Sequence, residues 1–153
     1  MKLIAHRANL NGPCPSTENN PKQIDSCIES GYDVEIDLRY DQATDVLWLG
    51  HDEPQYSVTW WWLSGRAENL WIHCKDLTTL HEFTTQTKGY NFFYHNKDDY
   101  TLTSKQFIWA FPGKSYSENT VVVMPEWQED RDWDVLRATN CHGVCSDFVE
   151  RLV

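Results

Sequence analysis

Long apolar runs are missing from this sequence. No stretch of its 153 residues approaches the roughly 20 consecutive apolar side chains that a helix needs to cross a bilayer. The opening MKLIAHR turns polar almost at once, so neither a membrane span nor a signal peptide is expected. Positive charge is scarce as well: 13 Lys and Arg stand against 23 Asp and Glu, a net charge of −10. Binding a polyanion draws on many basic contacts, so no nucleic-acid surface is expected, and a phosphate on any substrate must be met by local cations. Cysteine shows no pairing pattern. Cys14, Cys27, Cys74, Cys141 and Cys145 are odd in number and scattered, which fits thiols in a reducing compartment, the cytoplasm by default, better than a disulfide framework. Cys141 and Cys145 with His142 between them also admit a metal knuckle, but no second pair accompanies them. Low-complexity linkers, repeats and charge blocks are absent too, and 41% hydrophobic residues suffice for one core, so a single domain over 1–153 is expected.

What is present is a series of short apolar runs: Lys2 to Ala5, Val34 to Leu38, Leu70 to Cys74, Asn91 to Tyr94, Gln106 to Phe111, Thr120 to Met124 and Gly143 to Cys145. They read as seven buried strands. Asn20 as a cap, Pro21 at the first helical position, Ile24, Cys27 and Ile28 on one face and Gly31 as a stop predict a helix after the first strand. Further helices are expected at Leu77 to Thr87, with Leu77, Leu80 and Phe83 on one face, and at Asp132 to Asn140; Trp60-Trp61-Trp62-Leu63 begins a helix or plugs a barrel end. Strand and helix in alternation imply an α/β fold with a parallel sheet. The expectation is a parallel (β/α) TIM-type barrel, abbreviated, because the usual barrel takes about 250 residues and several connections here are too short for a crossover helix.

Polar residues sit where the strands end: His6 and Arg7, Glu35 and Asp37, His73 and Lys75, His95 and Asn96, Glu126, and Asp147. In a parallel barrel those ends converge on one face, where active sites lie. Residues i and i+2 of a strand share a side, so Glu35 projects with Asp37 and His73 with Lys75. Such a carboxylate pair either holds a hard divalent cation through oxygen or is simply solvated.

His6-Arg7, Glu18-Asn19, Gly31, Glu35-x-Asp37 and His51-Asp52 follow the order and spacing of the glycerophosphodiester phosphodiesterases, and Gly143-Val144-Cys145-Ser146-Asp147-Phe148 is similar to that family's closing strand. The resemblance is dense over residues 3–52, thinner over 70–76 and returns over 143–152. It implies a phosphoric diester hydrolase acting on a small phosphodiester, with His6 and His51 as the acid/base pair, Glu35 and Asp37 as metal ligands, and Arg7 and Lys75 as phosphate-binding cations. Histidine can give or take a proton near neutral pH, which suits activation of a nucleophile and protonation of a leaving oxygen.

The family carries a carboxylate where this chain has His73, which is read here as the third ligand. Magnesium or calcium is expected, with manganese or zinc as alternatives that an imidazole ligand favours. Glu18 and Asn19 are expected to order the loop beside His6, while His95 and Glu126 are further pocket candidates. Asp52 is expected to support His51 without reacting, and Trp109 or Trp127 to pack against the substrate's organic group. Two other functions stay open: a phospholipase D-like lyase that forms a cyclic phosphate, and a non-catalytic phosphate-ligand module.

Overall fold

In the computed structural model, which describes residues 1–86 and 88–153, the alternation within each apolar run sorts side chains into separate cores on the two faces of one sheet. The strands are β1 (Lys2–His6), β2 (Asp33–Asp41), β3 (Val46–Leu49), β4 (Tyr56–Val58), β5 (Leu70–Cys74), β6 (Asn91–Phe93), β7 (Tyr100–Leu102), β8 (Ile108–Ala110), β9 (Thr120–Val123) and β10 (Gly143–Ser146). The helices are α1 (Pro21–Glu29), α2 (Trp60–Ser64), α3 (Leu77–Thr85) and α4 (Trp133–Arg137), with 3-10 turns at Pro125–Trp127 and Val149–Leu152. All seven expected strands form, and they lie parallel in the order β6, β5, β2, β1, β10, β9, β8.

The expected TIM-type barrel does not form. The sheet has ten strands, is mixed, and curls into a half-barrel with few helices. β3 and β4 hang as an antiparallel extension from the C-terminal half of β2, and β7 runs antiparallel to β8. The reason is connection length. The segment after β6 holds only the short strand β7 where a barrel would place a helix, and α2 and α4 are 5 residues each. Among the described residues no ladder joins β6 to β8. Ser104 spans that gap: its N–H donates to Phe92 O at 2.8 Å, while its hydroxyl accepts from Phe92 N and donates to Tyr90 O, both at 3.0 Å.

Aromatic side chains fill the inside of the curl. Phe93 on β6 and Trp109 on β8 come from opposite ends of the parallel order, yet their ring centroids are 4.5 Å apart. Trp71 lies 5.8 Å from Trp109, and Ile4, Val121, Val123, Met124 and Cys145 complete this core. The other face buries Val34, Ile36, Leu38, Leu70 and Ile72 under α1 and α3. α1 starts as its sequence predicts, with the Asn20 side chain accepting from Lys22 N. α3 ends at Thr85, Thr87 lies outside the described residues, and Leu77 points to solvent, so Thr79 and Phe83 make the buried face. All five cysteines are free, only Cys14 is exposed, and Cys141 contacts Met1 Sδ and Gly143 O. Among the described residues no helix is long and apolar enough to cross a membrane.

The interior rings, more than the hydrogen bonds at the gap, should hold this curl. Trp109→Ala is expected to cost about 3–5 kcal/mol in urea denaturation, against about 1 kcal/mol for Ser104→Ala. The reverse ranking would mean that closure at Ser104 sets stability.

Candidate functional site

Register brings the acidic and imidazole side chains together. In the parallel ladders His6 is paired with Glu35 and Asp37 with His73, so alternate inward positions of β1, β2 and β5 form one cluster at the C-terminal strand ends. Ligand atoms of Glu35, Asp37 and His73 lie within 4.8 Å of one another. His73 Nδ1 is 3.3 Å from Asp37 Oδ1 and 3.8 Å from Glu35 Oε1, and its ring stacks on Phe93. Its Nε2 is 3.1 Å from His95 O. A carbonyl only accepts, so Nε2 carries the proton, and Nδ1 turns toward two carboxylate oxygens either a lone pair or a second proton. With a lone pair, three acceptors face one point and a cation is the group that reconciles them. A metal-ligating histidine is commonly fixed in this way through its other nitrogen. The donor set therefore fits a divalent cation.

Electrostatics around the pair are lopsided. Burial opposes the charge on Asp37, but the bonds to His73 and the nearby Lys75 and Arg7 outweigh it and hold its carboxyl well below the ordinary carboxylate range. Lys75 Nζ sits 3.0 Å from Asp37 Oδ1. Asn19 grips the same residue twice, through Nδ2 to Oδ2 at 3.0 Å and Oδ1 from the Asp37 N–H at 2.9 Å. Glu35 goes the other way, raised first by burial and then by the charge of Asp37.

His6 and His51 line one cavity of about 200 Å³ with Arg7, Glu35, His73 and His95. His6 Nδ1 is 2.8 Å from Asp147 Oδ1, which also accepts from Asn9 Nδ2 at 2.8 Å, and His6 Nε2 is 3.9 Å from Glu35 Oε2. His51 Nδ1 is 2.7 Å from Asp52 Oδ1. Each histidine thus has one nitrogen tied to a carboxylate. For Asp52 this bears on the expected supporting role, though for a different reason: His51 and Asp52 lie in a bend, not on alternating strand faces.

That bend is itself held. Arg39 donates to the carbonyl oxygens of Gly50, His51 and Asp52, the last two at 2.8 and 3.1 Å. Gly50 has φ +148°, and a Cβ there would lie 2.0 Å from Glu53 O, so glycine is required. Arg7, Ala8, Asn19 and Met124 also adopt left-handed backbone, a costly arrangement that clusters at sites where side chains must be aimed.

Other expected residues have different employment. Both carboxylate oxygens of Glu126 are taken, by Asp147 N at 2.8 Å and Ser146 Oγ at 2.9 Å, so Glu126 props Asp147 instead of meeting the metal cluster. Glu18 bonds Arg7 Nη1 at 3.3 Å and Asn9 Nδ2 at 3.0 Å, fixing the loop as expected. Arg7 Nε is 3.1 Å from Asp37 Oδ2 but out of line for a hydrogen bond. Lys75 stands against Asp37 and not on the cavity wall, which leaves Arg7 as the cation of that wall. Sequence reasoning gave no role to Arg39 or Asn9 and noted Asp147 only as a strand-end residue. Asp147 was within reach, because Ser146-Asp147 ends the strand that pairs with β1.

No protein-family model, no curated protein and no solved structure matches this chain.

The two histidines differ in charge preference. Burial disfavours the His6 imidazolium, but the hydrogen bond to Asp147 and the charge of Glu35 overcome it, and the pKa is raised. Burial, together with the positive charges of Arg7 and Lys75, lowers that of His51 despite Asp37 and Asp52. As pH rises in the metal-free protein, His51 should lose its proton below the ordinary value of about 6.5 and His6 above it. Imidazole proton NMR reads both, and Asp147→Asn should bring His6 down. Titration of His6 before His51 would contradict the assigned hydrogen bonds.

Proposed function

We propose that this chain is a metal-dependent phosphodiesterase of the glycerophosphodiester phosphodiesterase type, cleaving a small phosphodiester to a phosphomonoester and an alcohol. The observation that supports it is the convergence, at a single cavity, of two carboxylate-oriented histidines, an arginine, and Glu35 and His73, behind which Asp37 completes a cation-ready set. Glu35, Asp37 and His73 would hold magnesium or calcium, or manganese or zinc in their place, which when bound supplies Lewis acidity to the phosphoryl oxygens.

In-line displacement places the entering and leaving oxygens on opposite sides of phosphorus, so a proton must be taken on one side and given on the other. His6 and His51 serve as that pair, each held in a fixed tautomer by its carboxylate partner. Arg7 meets the non-bridging oxygens, and its link to Glu18 keeps the guanidinium aimed. Mere phosphate binding has no need of two such histidines, which favours an enzyme over a passive module.

Turnover of bis(p-nitrophenyl) phosphate with each of the four metals tests the reading, and phosphorus NMR of the products separates hydrolysis from formation of a cyclic phosphate. His6→Ala and His51→Ala should each lower kcat by about 10²- to 10⁴-fold with metal affinity nearly unchanged. Loss of metal binding in His6→Ala would make His6 a ligand and end the two-histidine mechanism. Arg39→Met should lower kcat through the loosened Gly50 to Asp52 bend, again sparing metal affinity; wild-type kcat in that variant would show that the bend holds itself.

A further inference from the structure

The cavity that contains His6 and His51 has a wall that the proposed chemistry leaves idle. Trp109, Phe111, Met124 and Trp127 line it, with His95 beside Phe111 at 6.4 Å between ring centroids. A second hollow of about 390 Å³ shares Arg7 and His51 with the first, and apart from Pro15 its remaining lining is polar, including Glu18, Asn19, Asp52 and Gln55. Arg7 and His51 therefore stand on the boundary between an aromatic hollow and a polar one. A phosphodiester carries two ester groups that leave phosphorus in different directions. With the phosphate at Arg7, one group falls to each hollow.

We infer that the aromatic wall is a subsite for a single flat apolar group esterified to the phosphate, selected by Phe111 and Trp127. This rests on the phosphodiesterase reading for the position of the phosphate. Three observations carry it. Trp127 and Phe111 are large rings left 64% and 36% exposed at the cavity, surface that a ring of the ligand would cover favourably in an edge or offset contact. The placement of Trp127 is built: Met124 takes the left-handed conformation, Pro125 opens the turn that carries Trp127, and Glu126 in that turn is bonded to Ser146 and Asp147, the residue that holds His6. Finally, the hollow is small. At about 200 Å³ it lies below the roughly 300 Å³ at which pockets for drug-sized ligands begin, which suits one ring better than a nucleoside or a long acyl chain.

Charge decides between an apolar ring and a quaternary ammonium, the other group that aromatic walls hold. Among the described residues lining the aromatic hollow the only carboxylate is Glu35, which faces His6 and His73, whereas Glu18, Asp52 and Glu53 line the polar one. A cationic group belongs in the polar hollow, and a neutral ring belongs against Trp127.

Calorimetric binding of phenyl phosphate, phosphocholine and inorganic phosphate to the full chain tests this without requiring turnover. Phenyl phosphate is expected to bind about tenfold more tightly than inorganic phosphate. Phe111→Ala and Trp127→Ala, each at an exposed position and checked for folding by circular dichroism, should each erode that advantage while leaving inorganic phosphate binding unchanged. An equal affinity for phenyl and inorganic phosphate, an advantage that survives both substitutions, or tighter binding of phosphocholine than phenyl phosphate would overturn the subsite. Turnover of bis(p-nitrophenyl) phosphate without any phenyl preference would sink the subsite alone. A phenyl preference without turnover of any diester would sink the hydrolytic reading and leave the subsite. Failure of all three probes to bind would end both.

Discussion

Asp37 is an ionised carboxylate with almost no contact with water, and burying such a charge is affordable only when donors surround it. Four side chains meet it with positive charge, a hydrogen bond or close approach: Arg7 just after β1, Asn19 from the loop before α1, His73 on β5 and Lys75 just beyond its end. Each comes from a different stretch of chain or a different turn of the pattern, so satisfying this one charge aligns β1, β2, β5 and the loop between β1 and α1. The remaining groups of the site hang on those partners. Arg7 brings Glu18 and Asn9, Asn9 meets Asp147, and Asp147 meets His6. A polar network of this kind leaves little freedom to any member, because releasing one group strands another in a low-dielectric setting.

Beneath that network the sheet solves a different problem. With few helices to pack against, the inner face cannot be sealed by surrounding a closed ring of strands, and the chain fills it with large rings instead. Trp71, Phe93 and Trp109 meet across the curl, and Phe107 stacks on His142 at 3.9 Å at the opposite end from the site. A few aromatic side chains thereby supply the apolar area that several aliphatic layers provide in a full-sized barrel.

The parallel strands were legible because they are short and mostly buried: β9 reads as an unbroken apolar run, and β2 alternates apolar residues with the charged side chains of the site. The elements that escaped were exposed or short: β7, whose ends are open to solvent, and β4, whose three residues follow a run of turn residues. Inferring a closed barrel from strands and helices in alternation assumed helices in connections that have no room for them. At the site, parity along a strand sufficed to pair Glu35 with Asp37, and register did the rest. Lys75 shares that parity with His73, yet its ammonium is drawn to Asp37, a choice made by charge and not by spacing. Glu126 and Arg39 could not be read correctly, because what defines them is a hydrogen-bond partner distant in sequence: Asp147 for one and the carbonyls after Gly50 for the other.

Among the described residues the ladders of the β3 and β4 extension join the parallel sheet through the far half of β2 alone, and the bend carrying His51 follows β3 directly. Such a unit can detach in a sub-global opening while the strands bearing His6, Glu35 and His73 stay folded. Amide hydrogens of β3 and β4 would then exchange faster than those of β1 and β10. The protein would pass, well below its global melting point, through a state that keeps its cation cluster and has lost one of its two histidines.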